Sequence, residues 1–297
     1  MEVCGKQVEF RGKLVRIAYL DAEGYQFPDD PEAVLASLRK FRPHADLFTF
    51  IQRLSSRSPE HRYPMEWDNF AVLPITTYDE WTANQVNNKT RNMIRKAERK
   101  GVSACEMPFD DALIRGIHAI YNESPVRGGR PFRHYGKDVE VVRGMTSTYL
   151  DQSIFIGAFF EGEMIGFIKL VTDEKLTQAG LMHIVSMQQH RDRAPTNALV
   201  AQAVKSCAER NIPLLWYANF SYGKREGDTL ANFKKHNGFE KVDIPRYYVP
   251  LTLAGRAALR LGLHRSLLDW VPAPAIIQYR RIRSRWYAKK FAGLENA

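Results

Sequence analysis

The stretch 153-SIFIGAFFEGEMIGFIKLVTDEKLTQAGLMHIVSM-187 decides the fold, because it sets three β-patterned runs in direct succession. Residues 153–160, 164–171 and 179–187 are rich in β-branched and aromatic side chains, the composition that suits a pleated surface. Glu161-Gly162-Glu163 joins the first two as a hairpin turn. The period then changes. In 195-PTNALVAQAVKSCAER-210 the apolar residues recur at near-helical spacing behind a proline, which suits the first helical position. A strand at 214–219, a shorter helix at 228–236 and a last strand at 239–251 follow, the last expected to be interrupted by Pro245 because proline donates no ladder hydrogen bond.

Working outward, residues 102–107 read as a strand, 110–121 as a helix and 138–150 as a second helix, with an irregular basic loop between the helices. Residues 102–251 therefore run β-α-α-β-β-β-α-β-α-β. Before them, strands are predicted at 14–20 and 47–52. Between those strands Asp30 caps a helix that begins at Pro31 and ends near Phe41. A loop over 63–69 precedes the apolar run 70–75, and 78–86 leads into a helix over 89–100 closed by Gly101, a residue that tolerates the left-handed cap. Thr90, Ile94 and Ala97 share one narrow face of that helix. Lys89, Arg91, Arg95, Lys96, Arg99 and Lys100 surround them, forming either a solvated face or a phosphate-holding one.

At 297 residues the chain is long enough for two units at about 150 residues each. Hydrophobic content of 44% and charged content of 26% argue for folded protein throughout, an α/β chain with a mixed sheet. No run approaches the ~18 apolar residues needed to span a bilayer, and residues 1–13 lack a secretion-signal core, so a cytoplasmic protein is expected. Cys4, Cys105 and Cys207 are odd in number and far apart, which argues against a disulfide framework and against a zinc site. No metal is expected. The net charge of +10 favours anionic partners, and residues 253–297 hold nine Lys or Arg against Asp269 and Glu295. That tail interleaves Trp270, Tyr279, Trp286, Tyr287 and Phe291 with its basic residues, which suits an anionic lipid surface at the inner face of the membrane, an RNA backbone, or helices packed on the body.

The element order over 102–251 resembles the GNAT superfamily of acyl-CoA N-acyltransferases. The resemblance implies a mixed sheet splayed at its middle, an acyl-CoA or acetyl-CoA donor, and a pyrophosphate loop before the central helix. That loop is Arg191-Asp192-Arg193-Ala194-Pro195-Thr196, with Asn197 opening the helix. Helix N-termini bind pyrophosphate through backbone N–H groups, and glycines allow close approach. Here Ala194 and Thr196 replace the glycines and Pro195 removes a donor, with Arg191, Arg193 and the Thr196 hydroxyl as compensation. A strand-to-helix turn with no ligand is the other reading of the same residues. In Asn232-Phe233-Lys234-Lys235-His236-Asn237-Gly238-Phe239, Lys234 stands where the family often has a proton-donating Tyr. The Phe-Lys-Lys run and the basic helix Arg95-Lys96-Ala97-Glu98-Arg99-Lys100-Gly101 are similar to the Fem-type peptidoglycan aminoacyl transferases, which are built from GNAT-like units and include relatives associated with exopolysaccharide synthesis. That branch implies a second, partial GNAT-like unit in residues 1–101, a main unit in 102–252, a helical tail in 253–297, and aminoacyl-tRNA as the alternative donor.

Acyl transfer to an amine needs a held donor, a deprotonated nucleophile and donors for the oxyanion. His183 is the candidate base, since neutral imidazole accepts a proton near pH 7; a core histidine is the competing reading. Tyr222 and Lys234 are further catalytic candidates, and Asn219 is placed beside the donor with Arg191, Arg193, Ala194, Thr196 and Asn197. The loop 123–137 is basic, aromatic and glycine-rich. Its Arg127, Arg130, Arg133, His134 and Lys137 point to an anionic acceptor such as a phosphorylated sugar or glycan precursor, against the reading of a solvated surface loop. Lys169 and Tyr217 are added as substrate contacts, although an edge-exposed lysine and a core tyrosine are the plainer readings. Three functions remain: N-acyl transfer from acyl-CoA in polysaccharide or cell-wall metabolism, Fem-like transfer from aminoacyl-tRNA, and a non-catalytic GNAT-shaped binding module at a membrane surface.

Overall fold

The computed structural model describes residues 1–21, 23–40, 45–128, 130–221 and 229–265, together with seven positions between 274 and 286. In chain order the elements are β1 (Glu2–Val3), β2 (Lys6–Arg11), β3 (Ile17–Leu20), α1 (Pro31–Lys40), β4 (Leu47–Ile51) and β5 (Met65–Pro74). Next come α2 (Tyr78–Glu80), which runs on into a π-helical turn at Trp81–Gln85, then α3 (Asn88–Arg99), β6 (Ser103–Met107), α4 (Asp111–Asn122), and the short strands β7 (Val126–Arg127) and β8 (Arg130–Pro131). The remainder is α5 (Val139–Thr146), β9 (Ser153–Phe160), β10 (Glu163–Thr172), β11 (Ala179–Ser186), α6 (Pro195–Glu209), β12 (Leu214–Asn219), α7 (Thr229–His236), β13 (Glu240–Pro250) and α8 (Leu253–Arg260).

All strands but β7 and β8 join one mixed sheet of eleven, in the order β1-β2-β3-β4-β13-β5-β12-β11-β10-β9-β6. The three β-patterned runs of 153–187 form a meander as their periodicity predicts: β9·β10 and β10·β11 are antiparallel. Only β3·β4 and β11·β12 are parallel. β10 is buried almost end to end because helices cover both its faces. Gly166 lies against Leu199 of α6, while the neighbouring Phe167 packs edge-on to Tyr121 of α4, so α6 and α4 occupy opposite faces. The largest core cluster fills the space under these two helices and includes Trp81, Ile117, Phe167, Leu199 and Leu215. A second cluster lies under α1, and a third joins Tyr25 and Phe27 to Trp216 and Val171.

Three expectations are corrected. The loop expected over 63–69 is mostly strand, since β5 begins at Met65 and pairs with the end of β13 from there. Proline does not interrupt the last strand: β13 runs through Pro245, which pairs with Trp67 of β5, and the β4 ladder begins only at Arg246, so the ring sits where a donor is not needed on that side. The helix expected over 138–150 stops at Thr146, whose hydroxyl turns back to the Val142 carbonyl, and Tyr149 then takes a left-handed φ of 55°. The helix over 89–100 is as read. Asn87 caps it by accepting from the Thr90 N–H at 2.8 Å, Thr90, Ile94 and Ala97 are its buried stripe, and Gly101 turns the chain at φ 77°.

Candidate functional site

The parallel ladder between β11 and β12 lasts two residue pairs, Ala179↔Leu215 and Gly180↔Trp216. Beyond them the strands part, and the facing edge of β11 from Leu181 to Ser186 has no strand partner. Two irregularities hold the opening. β11 shifts register against β10 between Lys169 and Leu170, leaving Met182 outside the pairing, and β12 shifts against β5 between Trp216 and Asn219, where Ala218 takes a left-handed φ of 46°. At the apex the Trp216 indole lies against Gly180 and Gly24, where a Cβ would come within 2.6 Å and 2.5 Å of its ring atoms. The wedge opens at the carboxyl ends of two parallel strands, the usual position for ligands in sheets of this kind.

A cavity of about 390 Å³ occupies the opening. Ile184, Val185 and Ser186 of β11 and Tyr217 of β12 form its walls, with Leu230 and Phe233 of α7, Thr196 of α6, and Arg127 and Phe132 from the loop after α4. The lining thus draws on both faces of the sheet. Under the wall from β12 lies Lys234, wholly buried, which donates to the Asn219 carbonyl at 2.6 Å and holds its ammonium 4.5 Å from the Tyr217 ring centroid. The Lys234 amine is therefore fixed by α7 between the end of β12 and the Tyr217 ring.

The loop before α6 reaches the mouth of the wedge. Ala194 takes φ 56°, is buried, and serves as N-cap without a side-chain hydrogen bond, and Pro195 is the first helical residue. The Asn197 N–H is folded back onto the Ala194 carbonyl at 3.0 Å, and the Thr196 hydroxyl shares a hydrogen bond of 2.9 Å with Ser186. Arg191 is exposed. Arg193 turns away, stacking at 4.0 Å over the Phe160 ring and pairing with Asp192 at 3.2 Å.

The loop after α4 is split between two roles. Arg127 fastens the loop to the sheet: it donates to the Ser186 and Ile120 carbonyls, both at 2.6 Å, pairs with Glu123 at 2.9 Å, and lies over Phe132. Burial lowers its pKa, opposed by Glu123. His134 is buried, stacks on Tyr121 at 4.6 Å and accepts from the Arg133 guanidinium at 3.2 Å, which leaves its Nδ1 enclosed and unpartnered. Burial and the neighbouring Arg133 and Lys137 charges hold it below the usual histidine range. Arg130 and Arg133 are exposed and Lys137 half-buried.

His183 faces this loop, with its ring 6.3 Å from that of His134. Burial first, then the Lys169 charge, push its pKa down to about 4, so the imidazole is neutral at pH 7. Lys169, its partner across the β10·β11 ladder, is not edge-exposed: β10 is an interior strand, and the buried ammonium donates to the Thr146 carbonyl at 2.9 Å and to the carbonyl and hydroxyl of Thr148. Burial lowers its pKa to about 8. Its polar capacity is spent on tying the end of α5 to the sheet.

The wedge therefore brings together Tyr217, Asn219, Lys234, Thr196 and Arg127, with His183 and His134 behind β11. Tyr222 lies outside the described residues. Sequence reading passed over Ser186, Phe132, Leu230 and Phe233. Ser186 carried a signal, a polar residue ending an apolar strand just before the phosphate loop.

No family model matches the sequence, and no curated protein matches it. Among solved structures it is similar to FemX, with a TM-score of 0.60 at 10% identity over 86% of each chain. The fold is GNAT-like, of the Fem type. Two further structures share it: the C-terminal domain of a putative lysylphosphatidylglycerol synthetase from Agrobacterium fabrum (TM-score 0.54, 12% identity, 85% of this chain and 83% of that one) and L-PGS from Bacillus licheniformis (0.52, 13%, 81% and 80%). Both of these matches, to FemX and to the synthetase domain, cover more of the chain than residues 102–251 make up.

Proposed function

We propose that this chain transfers an acyl group to an amine inside the β11–β12 wedge, with a CoA thioester as donor and an anionic acceptor of the glycan-precursor kind, in polysaccharide or cell-wall metabolism. The supporting observation is the two-pair ladder with the 390 Å³ cavity beyond it, a slot of the shape a long thin donor needs. The residues at its mouth fit an anionic donor arm: α6 begins there without a side-chain cap, so its N-terminal dipole is available to a phosphate, and Arg191 is exposed beside it. When bound, the cofactor supplies an activated carbonyl. The chain's own groups do the rest. Backbone N–H groups on the unpaired edge of β11 and the Lys234 ammonium stabilise the oxyanion as the amine adds. Neutral His183, on the acceptor side, takes the proton that the attacking nitrogen must lose; the adduct then collapses with cleavage of the C–S bond, and the CoA thiolate leaves and is protonated to the thiol, while Arg130, Arg133 and Lys137 bind the acceptor's negative charge.

A second reading, Fem-like transfer from aminoacyl-tRNA, is favoured by the alanine and proline at 194 and 195, where a pyrophosphate loop has glycines, and by the exposed Lys89, Arg95, Arg99 and Lys100 of α3. Titration calorimetry with acetyl-, longer acyl- and free CoA separates the two. Binding that weakens in Arg191→Ala supports the thioester donor. Absence of binding at millimolar CoA, together with salt-sensitive binding of charged tRNA, moves the assignment to the second reading, and failure of both overturns acyl transfer.

A further inference from the structure

α8 follows β13 in the middle of the sheet, beside the start of β4, and presents an outer surface that the proposed chemistry does not use. Its inner side is fixed. Thr252 caps it and bonds to Asp46 at 2.8 Å, Gly255 is pressed so close to the Asp46 backbone that a Cβ would lie 1.9 Å from that carbonyl oxygen, and the following turn is pinned by His264, which meets Glu66 at 2.9 Å and stacks on Tyr248 at 4.5 Å. What faces outward is apolar and basic together. Leu253, Leu261 and Leu263 are 80%, 64% and 56% exposed, the first being among the most exposed large apolar side chains in the protein. Arg256 and Arg260 stand exposed between them, their guanidinium groups in no ion pair or hydrogen bond among the described residues. No acidic residue occurs between 252 and 265. The same pairing of character recurs further on, where Tyr279, Ile282 and Trp286, at helical spacing of three and seven, are 61%, 60% and 54% exposed and Arg283 lies over the Tyr279 ring.

We infer that α8 and its following turn are a docking surface for an anionic lipid bilayer. Leucines that share a face with uncompensated arginines match a membrane interface, where the aliphatic groups enter the acyl boundary and the guanidinium groups reach lipid phosphates. A nucleic-acid backbone would reward the arginines alone and leave the leucines in water. A second copy of the chain would have to meet a surface carrying surplus charge of its own sign. The inference is independent of which donor the wedge takes.

The test is flotation of the full-length chain with vesicles of phosphatidylcholine alone or mixed with phosphatidylglycerol. Binding is expected only to the mixed vesicles. Arg256→Gln with Arg260→Gln is expected to weaken it by roughly 30-fold, at about a fivefold loss for each basic residue near an anionic surface, and Leu261→Gln with Leu263→Gln by at least about tenfold. Both pairs point outward, so circular dichroism melting curves should match that of the unaltered protein. Vesicle binding unchanged by the leucine substitutions, absence of flotation with either vesicle, competition by bulk tRNA that depends on the leucines, or a dimer in light scattering that the leucine pair converts to monomer would each overturn the inference.

Discussion

At the scale of single residues, the proposed chemistry of the wedge draws on two nitrogen groups held by the fold, His183 and Lys234. His183 is neutral because burial and the Lys169 charge push its pKa from the ordinary 6.5 down to about 4. In that window the unfolded chain binds a proton that the folded protein does not, so stability is full above pH 6.5 and declines as the pH falls toward 4. Melting temperature measured across this range should therefore drop, and His183→Gln should flatten the drop; the transfer rate should show no inflection near pH 6.5 from this residue. Lys234 lies buried behind the Tyr217 wall of the cavity and donates to the Asn219 carbonyl. Lys234→Met keeps the aliphatic stem but leaves the Asn219 carbonyl without this donor, for an expected loss of about 1–3 kcal/mol in denaturant unfolding. Single-turnover transfer should fall about 100-fold if the ammonium supports the oxyanion. Neither environment was legible in sequence. Lysine between apolar neighbours reads alike at positions 169 and on any edge strand, and only the position of β10 inside the sheet determines that its ammonium must find carbonyls.

At the scale of elements, the order of strands and helices over 102–251 was legible because periodicity is a local property, whereas β1 and β2 were not foreseen: the meander, α3 with its glycine stop, and α6 behind Pro195 all follow from spacing within a few residues. Where α5 ends and how β13 passes Pro245 depended on contacts from distant parts of the chain, and both were misread. The wedge was foreseen through family resemblance, whereas its apex was not. It depends on Gly180 and Gly24 leaving room for the Trp216 indole, and nothing near either glycine in sequence announces a tryptophan. Gly180→Ala should force that ring and Tyr25 to move, costing about 1–3 kcal/mol and altering the cavity, as thermal melting and donor affinity measured on the same variant would register.

At the scale of the whole molecule, the halves are joined by charge as well as by hydrogen bonds between strands. Arg246 of β13 pairs with Glu23 through two contacts of 2.6 and 2.9 Å and with Asp68 of β5, which drives its pKa upward against the cost of burial. Arg246→Ala would leave two carboxylates facing one another, and a loss of about 3 kcal/mol in urea unfolding is expected. A single cooperative transition should persist, since one sheet spans both halves. The strand that makes these connections, β13, lies between β4 and β5 although it begins 189 residues after β4 ends and 166 after β5 ends. During synthesis, then, the amino-terminal strands emerge from the ribosome with two open edges and no neighbour to fill the gap. The nascent chain must keep that slot unsealed against its own kind until the closing strand arrives, so the amino-terminal strands expressed without β13 are expected to self-associate.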